Sequence, residues 1–205
     1  MLVDCGFPAA KPGLAAVGKH AREGEAVHMS RLAATTTPIF VPEGLWVVDS
    51  ERSTVRFRVK HLLVATVEGC LGAVHGTVTA SGRSVHAEGG VQVAMIDTGM
   101  PERDARLRGD GFFDTERHQQ ITFRATGAQP MGRDAWSVSG DMTIMGRTAP
   151  FTFATSVSEG RHGPRITARG SLSRREHGLD WPGLLHSGRA VVGDRVDIVL
   201  ELELR

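Results

Sequence analysis

Residues 97 to 114 read DTGMPERDARLRGDGFFD, which sets Asp97, Glu102, Asp104, Asp110 and Asp114 beside Arg103, Arg106 and Arg108 and ends on the pair Phe112 and Phe113. Arginine presents a planar donor fork suited to oxyanions. Arg103, Arg106 and Arg108, with His61 upstream, could therefore meet a phosphate, quinone or carbonyl group. A cluster holding both signs can also satisfy itself, for example by pairing Arg103 with Asp97 or Asp114. The residues alone leave both readings open.

Other chemistries find less support. The chain has nine histidines, but His61, His75, His86, His118, His162, His177 and His186 show no HxH, HExxH or Cys/His spacing, so no metal site and no cofactor are expected. There is no G-x-S-x-G elbow to activate a serine, and the protein is expected not to be an enzyme. Cys5 and Cys70 lie far apart without a CxxC spacing, which suggests neither a zinc ribbon nor a disulfide-rich scaffold and is compatible with a reducing compartment. With 24 Lys+Arg against 23 Asp+Glu, no net field draws the chain toward nucleic acid.

The elements that must position this cluster announce themselves by period two. Thr54 to Lys60 puts Val55, Phe57 and Val59 on one face and Arg56, Arg58 and Lys60 on the other. Similar alternation runs through Val85 to Met95, Ile121 to Ala125, Trp136 to Ile144, Phe151 and Phe153, Ile166 to Leu172, and Val196 to Leu204. With strands near Trp46 and from Val74 to Thr79, about eight to nine are expected. The charged segment breaks the alternation. Pro101 suits a first helical turn, Glu102 and Asp104 its N-terminal end, Arg106 and Arg108 its C-terminal end, and Gly109 its stop. The spacing predicts a helix over Pro101 to Arg108 in a crossover, with Phe112 and Phe113 as plugs into an apolar space.

At 205 residues the chain suits one all-β sandwich or barrel. Residues 1–44 show no sustained period and are expected to be a mobile extension before a domain over 45–205; Met29 is an alternative start. That extension holds no continuous apolar segment of an export signal, LAAV at 14–17 being followed by Gly18, Lys19 and His20. A cytoplasmic protein without an integral membrane segment is expected.

Small residues recur at mid-strand on the apolar faces: Ala87, Gly89, Ala125, Gly140, Ala168 and Gly170. A barrel of about eight strands lined this way can be hollow and hold one small ligand. The same residues also permit strand coiling or close packing in a filled barrel.

Across the chain, Trp46-x-x-Asp49, Ser53-x-Val55-x-Phe57-x-Val59-x-His61-Leu62, Ile96-Asp97-Thr98, Arg103-Asp104-x-x-Leu107-Arg108 and Phe112-Phe113-Asp114 follow in order. Ile121-Thr122-Phe123, Gly140-Asp141-x-Thr143-Ile144-x-Gly146-x-Thr148-x-Pro150, Arg174 to Leu179 and Val192-Gly193-Asp194-x-Val196 continue the series. This pattern resembles the YceI-like family, lipocalin-like proteins that bind polyisoprenoid chains and related amphiphiles. The chain departs from it at Arg106, where relatives often have His, and at Gly109-Asp110-Gly111, where they have Ser-Pro before the paired phenylalanines. Many relatives also carry an export signal.

The resemblance implies an extended antiparallel lipocalin-like β-barrel with an apolar tunnel for an isoprenoid or other long-chain amphiphile, and makes a homodimer plausible. Candidate tail contacts are Phe57 and Val59, Val91 and Val93, Phe112 and Phe113, Phe123, Trp136, Met142 and Ile144, Phe151 and Phe153, and Ile166 and Leu172. His61, Arg103, Arg106 and Arg108 are the candidates for its head group. The alternatives are a filled barrel serving as a scaffold or stress-related interaction protein, and, further off, a hydrolase.

Overall fold

Period-two alternation becomes antiparallel ladders throughout the computed structural model, which describes residues 41–61, 65–81, 84–132, 134–179 and 192–205. The strands are β1 (Gly44–Val47), β2 (Thr54–His61), β3 (Ala65–Leu71), β4 (His75–Ser81), β5 (Ser84–Gln92), β6 (Ile96–Asp97), β7 (Gln120–Pro130), β8 (Ala135–Ile144), β9 (Arg147–Glu159), β10 (Pro164–Ser173) and β11 (Val192–Glu203). One α-helix, α1 (Pro101–Arg108), follows β6 and has the predicted bounds. Its local signals all act within one turn of its ends: Pro101 starts it, acidic residues occupy its first turn and basic residues its last.

The eleven strands form one sheet in the order β1-β4-β5-β7-β8-β9-β10-β11-β2-β3-β6. About eight to nine were expected; β3 and the two-residue β6 were not among them, and two pairs of strands are continuous across bends. The amide and carbonyl of Val47 exchange hydrogen bonds with Arg205 at 2.9 and 3.0 Å, and the Asp49 amide donates to Glu203 O at 2.9 Å. The ladder to β11 then resumes at Thr54 opposite Glu201. β1 and β2 are therefore one long strand interrupted by a turn, in which the Asp49 carboxylate accepts the Glu51 amide at 3.1 Å and the Arg52 guanidinium at 2.9 Å. β3 and β4 likewise continue one another across residues 72–74, where Ala73 has φ +50°. With these joined and the two-residue β6 set aside, eight long strands remain. Their ladders run a full circuit, from β4 on β5 round to β11 on β2.

Strand direction separates two ends. The crossover with α1, the β8–β9 turn and the start of β11 lie at the helix end, and the β7–β8 and β9–β10 turns lie at the far end. Val41 and Leu204, both fully buried, pack with Trp136 in the larger core cluster, against which Trp46 also rests. The backbone at Gly163 comes close to Trp46, since a Cβ there would fall 2.9 Å from the Trp46 ring. Aliphatic and indole groups thus stopper the far end. Val41 already belongs to this core, so the packed chain starts a few residues before the break in pattern at 45. Residues 1–40, which hold the rest of the expected extension, with Cys5 and Met29, lie outside the described residues.

On the outer face, β10 and β11 are tied by charged groups. Burial raises the pKa of Asp197, but hydrogen bonds from Ser171 Oγ at 2.6 Å and from Arg195 and Arg58 outweigh it and hold the carboxyl below its ordinary 3.8. Asp194 is likewise raised by burial and lowered further by Ser173 Oγ, the Arg175 amide and two arginines. A carboxylate whose folded pKa is depressed lends stability above its unfolded pKa, and loses it as pH falls through the folded value. The melting temperature of the wild type should therefore exceed that of Asp197→Asn at pH 7, and the gap should close below pH 3.8. Thermal melts monitored by circular dichroism at several pH values would check this; a gap of constant size would show that the charge contributes nothing.

Candidate ligand-binding site

The barrel encloses an apolar cavity of about 670 Å³, within the range of about 300–1,000 Å³ usual for small-molecule sites. Strands from the whole circuit contribute: Phe57 and Val59 from β2, Val91 from β5, Phe123 from β7, Met142 and Ile144 from β8, Phe153 from β9, and Ile166 and Leu172 from β10. Phe112 and Phe113, just after α1, also reach it. Of the candidate tail contacts, Val93, Trp136 and Phe151 sit elsewhere. Val93 is buried in the 3₁₀ turn Val93–Met95, where its amide donates to Gln119 O at 2.9 Å. Trp136 belongs to the far-end core, and Phe151 stacks edge-on to Phe153 with centroids 4.7 Å apart. Further wall residues are Ile198 and Leu200 of β11, on the face that alternation assigns as apolar. Val55 and Leu71 are also wall residues, Val55 by the same alternation.

Glycines set the inner width in an unexpected way. A Cβ on Gly140 would lie 2.5 Å from the Phe123 ring, one on Gly170 2.5 Å from Phe151, and one on Gly69 2.6 Å from Phe57. Each glycine is the seat of a phenylalanine from the adjacent strand, an arrangement that covers bare backbone with an aromatic face. Gly140 and Gly170 therefore do not create hollow space directly. They let rings lie flat against the wall, and Phe123 and Phe57, lying so, form part of the cavity surface.

At the helix end the wall turns polar. Arg103, Arg106 and Glu102 of α1 line the cavity with His61. The expected ion pair of Arg103 with Asp97 or Asp114 is not formed. Arg103 instead donates to Thr98 Oγ1 at 2.7 Å and Thr98 O at 2.8 Å. Asp97 accepts the Gly99 amide at 2.7 Å, and Asp114 pairs with Arg117 at 3.6 Å. The buried Asp104 takes the Thr98 amide at 3.0 Å and the Thr98 hydroxyl. Arg108 turns away from the cavity and donates to Ala94 O and Ile96 O, each at 2.7 Å. These bonds fasten a short polar helix whose apolar face alone could not hold it.

Arg106 is left differently placed: it is exposed, lines the mouth and makes no ion pair among the described residues. A second arginine at this end, Arg174, is only 3% exposed and was not singled out in the sequence as a buried group. It donates to Gly193 O at 3.1 Å, Val192 O at 3.3 Å and Leu179 O. Two segments remote in sequence are thereby pinned beside the mouth, which no local pattern could disclose. Among the described residues, no group of three or more His, Cys, Asp or Glu is placed to hold a metal ion. No helix among them is long and apolar enough to cross a membrane.

The chain is similar to a UPF0312 protein of Staphylococcus epidermidis, 28% identical over 159 residues covering 72% of this chain and 90% of that one. A UPF0312 protein of Yersinia pestis is 30% identical over 114 residues, 54% of this chain and 58% of the relative. Among solved structures, BcnA of Burkholderia cenocepacia superposes with a TM-score of 0.68 at 21% identity, over 77% of this chain and 99% of that one. A polyisoprenoid binding domain from Saccharophagus degradans gives 0.62 at 18% identity, over 78% and 97% of the two chains. These likenesses agree with the barrel, and a model of the YceI-like domain matches residues 46–204, nearly the entire packed chain. The protein with this walled cavity belongs to the YceI-like family.

Proposed function

We propose that the protein binds an isoprenoid or similar long-chain amphiphile within the barrel and carries or sequesters it without converting it chemically. The observation that carries this reading is the predominantly apolar wall around about 670 Å³, with Glu102, Arg103, Arg106, Arg174 and His61 gathered at one end. Each buried methylene contributes about 0.8 kcal/mol before ordering costs, so a long tail supplies most of the affinity without polar contacts. Arg106 and His61 would then face the head group, and Arg103 and Arg108 would hold α1 in place. The Saccharophagus degradans neighbour, a polyisoprenoid binding domain, supports the class of ligand.

Native mass spectrometry of protein purified from its source cells, followed by organic extraction, tests the reading. The expected result is a stoichiometric amphiphile that leaves on extraction. A folded protein that carries none, and takes up none when offered prenyl alcohols or long-chain acids, would overturn the reading and favour a scaffold.

A further inference from the structure

Among the described residues that line the cavity, one buried side-chain polar atom is left without a partner. Thr155 of β9 lines the cavity and is 5% exposed, and its Oγ1 is buried without a hydrogen-bond partner among the described residues. It lies toward the far end, opposite Trp136 on β8 and Ala168 on β10. Its neighbours on the wall at that level are Val138, Ile166, Ala168, Leu200 and Leu202, all apolar. A buried hydroxyl left unbonded is destabilising, and valine has the same shape without that cost. A χ1 rotation of about 120° carries Oγ1 into the place now held by Cγ2 and Cγ2 into that of the Cβ hydrogen, so the hydroxyl can turn toward a bound molecule without any movement of the strand.

We infer that Thr155 hydrogen-bonds an oxygen at the buried end of the ligand, which is therefore not hydrocarbon to its tip. The oxygen is neutral, a hydroxyl or carbonyl. Among the described residues of the wall, Arg103, Arg106, Arg174 and His61 all stand at the helix end and His75 and Glu88 are exposed, so none of these groups places a cation at the far end. A charge taken there would be buried unpaired, at heavy cost. This inference rests on the carrier reading and narrows it to amphiphiles with polar atoms at both ends.

The test compares hexadecanoate with 16-hydroxyhexadecanoate by titration calorimetry, on the wild type, Thr155→Val and Thr155→Ser. The wild type should bind both acids. Thr155→Val should keep its affinity for hexadecanoate but lose about tenfold for the hydroxy acid, the size of one neutral hydrogen bond, and Thr155→Ser should restore it. The ligand-free Thr155→Val protein should melt at or above the wild-type temperature. Equal effects of Thr155→Val on both acids, or a clearly lowered melting temperature without ligand, would overturn the assignment of Thr155 and leave the carrier reading standing. A wild type that binds neither acid but takes up a prenyl alcohol would overturn the assignment of Thr155 alone, and one that binds none of the three would overturn both.

Discussion

Ala168→Trp should abolish uptake of long-chain amphiphiles, lowering affinity by at least about a hundredfold, while the protein stays folded. Ala168 is 3% exposed, lines the cavity, and stands between Thr155 on β9 and Leu200 on β11. An indole there projects into the space a chain must occupy. Losing a few buried methylenes at about 0.8 kcal/mol each already accounts for two orders of magnitude. The empty volume accepts the ring, so the stability cost should stay within the about 1–3 kcal/mol typical of overpacking. Binding would be followed by calorimetry and folding by circular dichroism. Val138→Trp, on the neighbouring wall of β8, serves as a second blocking variant. A well-folded blocked barrel that binds as tightly as the wild type would place the ligand outside the cavity.

Gly140→Val should destabilise the protein strongly, by about 3 kcal/mol or more, although glycine to valine is ordinarily favourable in a strand. The new Cβ would lie within 2.5 Å of the Phe123 ring and closer still to the Arg124 carbonyl, which belongs to the ladder and cannot step aside. Phe123 would have to leave its seat and its edge-on contact with Phe153, whose centroid is 5.1 Å away. Expelled into the cavity, the ring would also narrow it. Chemical denaturation measures the loss, and Phe123→Leu combined with Gly140→Val should recover part of it, because the smaller side chain no longer needs the glycine. A Gly140→Val protein as stable as the wild type would show that the ring can move freely, and the seat would have no structural meaning.

How legible all this was depends on the range of the interactions involved. The helix over Pro101–Arg108 was readable because its start, stop and charge placement act within a turn of the backbone. Alternation likewise assigned faces correctly to β2, β8, β10 and β11, since side-chain direction in a strand is a property of the strand alone. The role of the glycines was read only halfway. Their small size at Gly140 and Gly170 was visible, but the phenylalanine seated on each comes from another strand in a particular register. Arg103 shows the same limit. Opposite charges nearby suggested an ion pair, whereas the turn at Thr98 to Gly99 presents a hydroxyl and a carbonyl at closer reach.

By itself, the sequence determined most of the strands, their apolar faces and the helix in the crossover, which follow from local stereochemistry and period, while the choice of barrel over sandwich came from the family resemblance. Only the tertiary structure decided which strands merge across bends and which end is stoppered by Val41, Trp46 and Trp136. It alone separated Arg106 at the mouth from Arg108 on the outside, and left Thr155 without a partner on an apolar wall. Those outcomes depend on register and on contacts between residues distant in the chain, where a shift of one position turns a side chain from the cavity to the solvent.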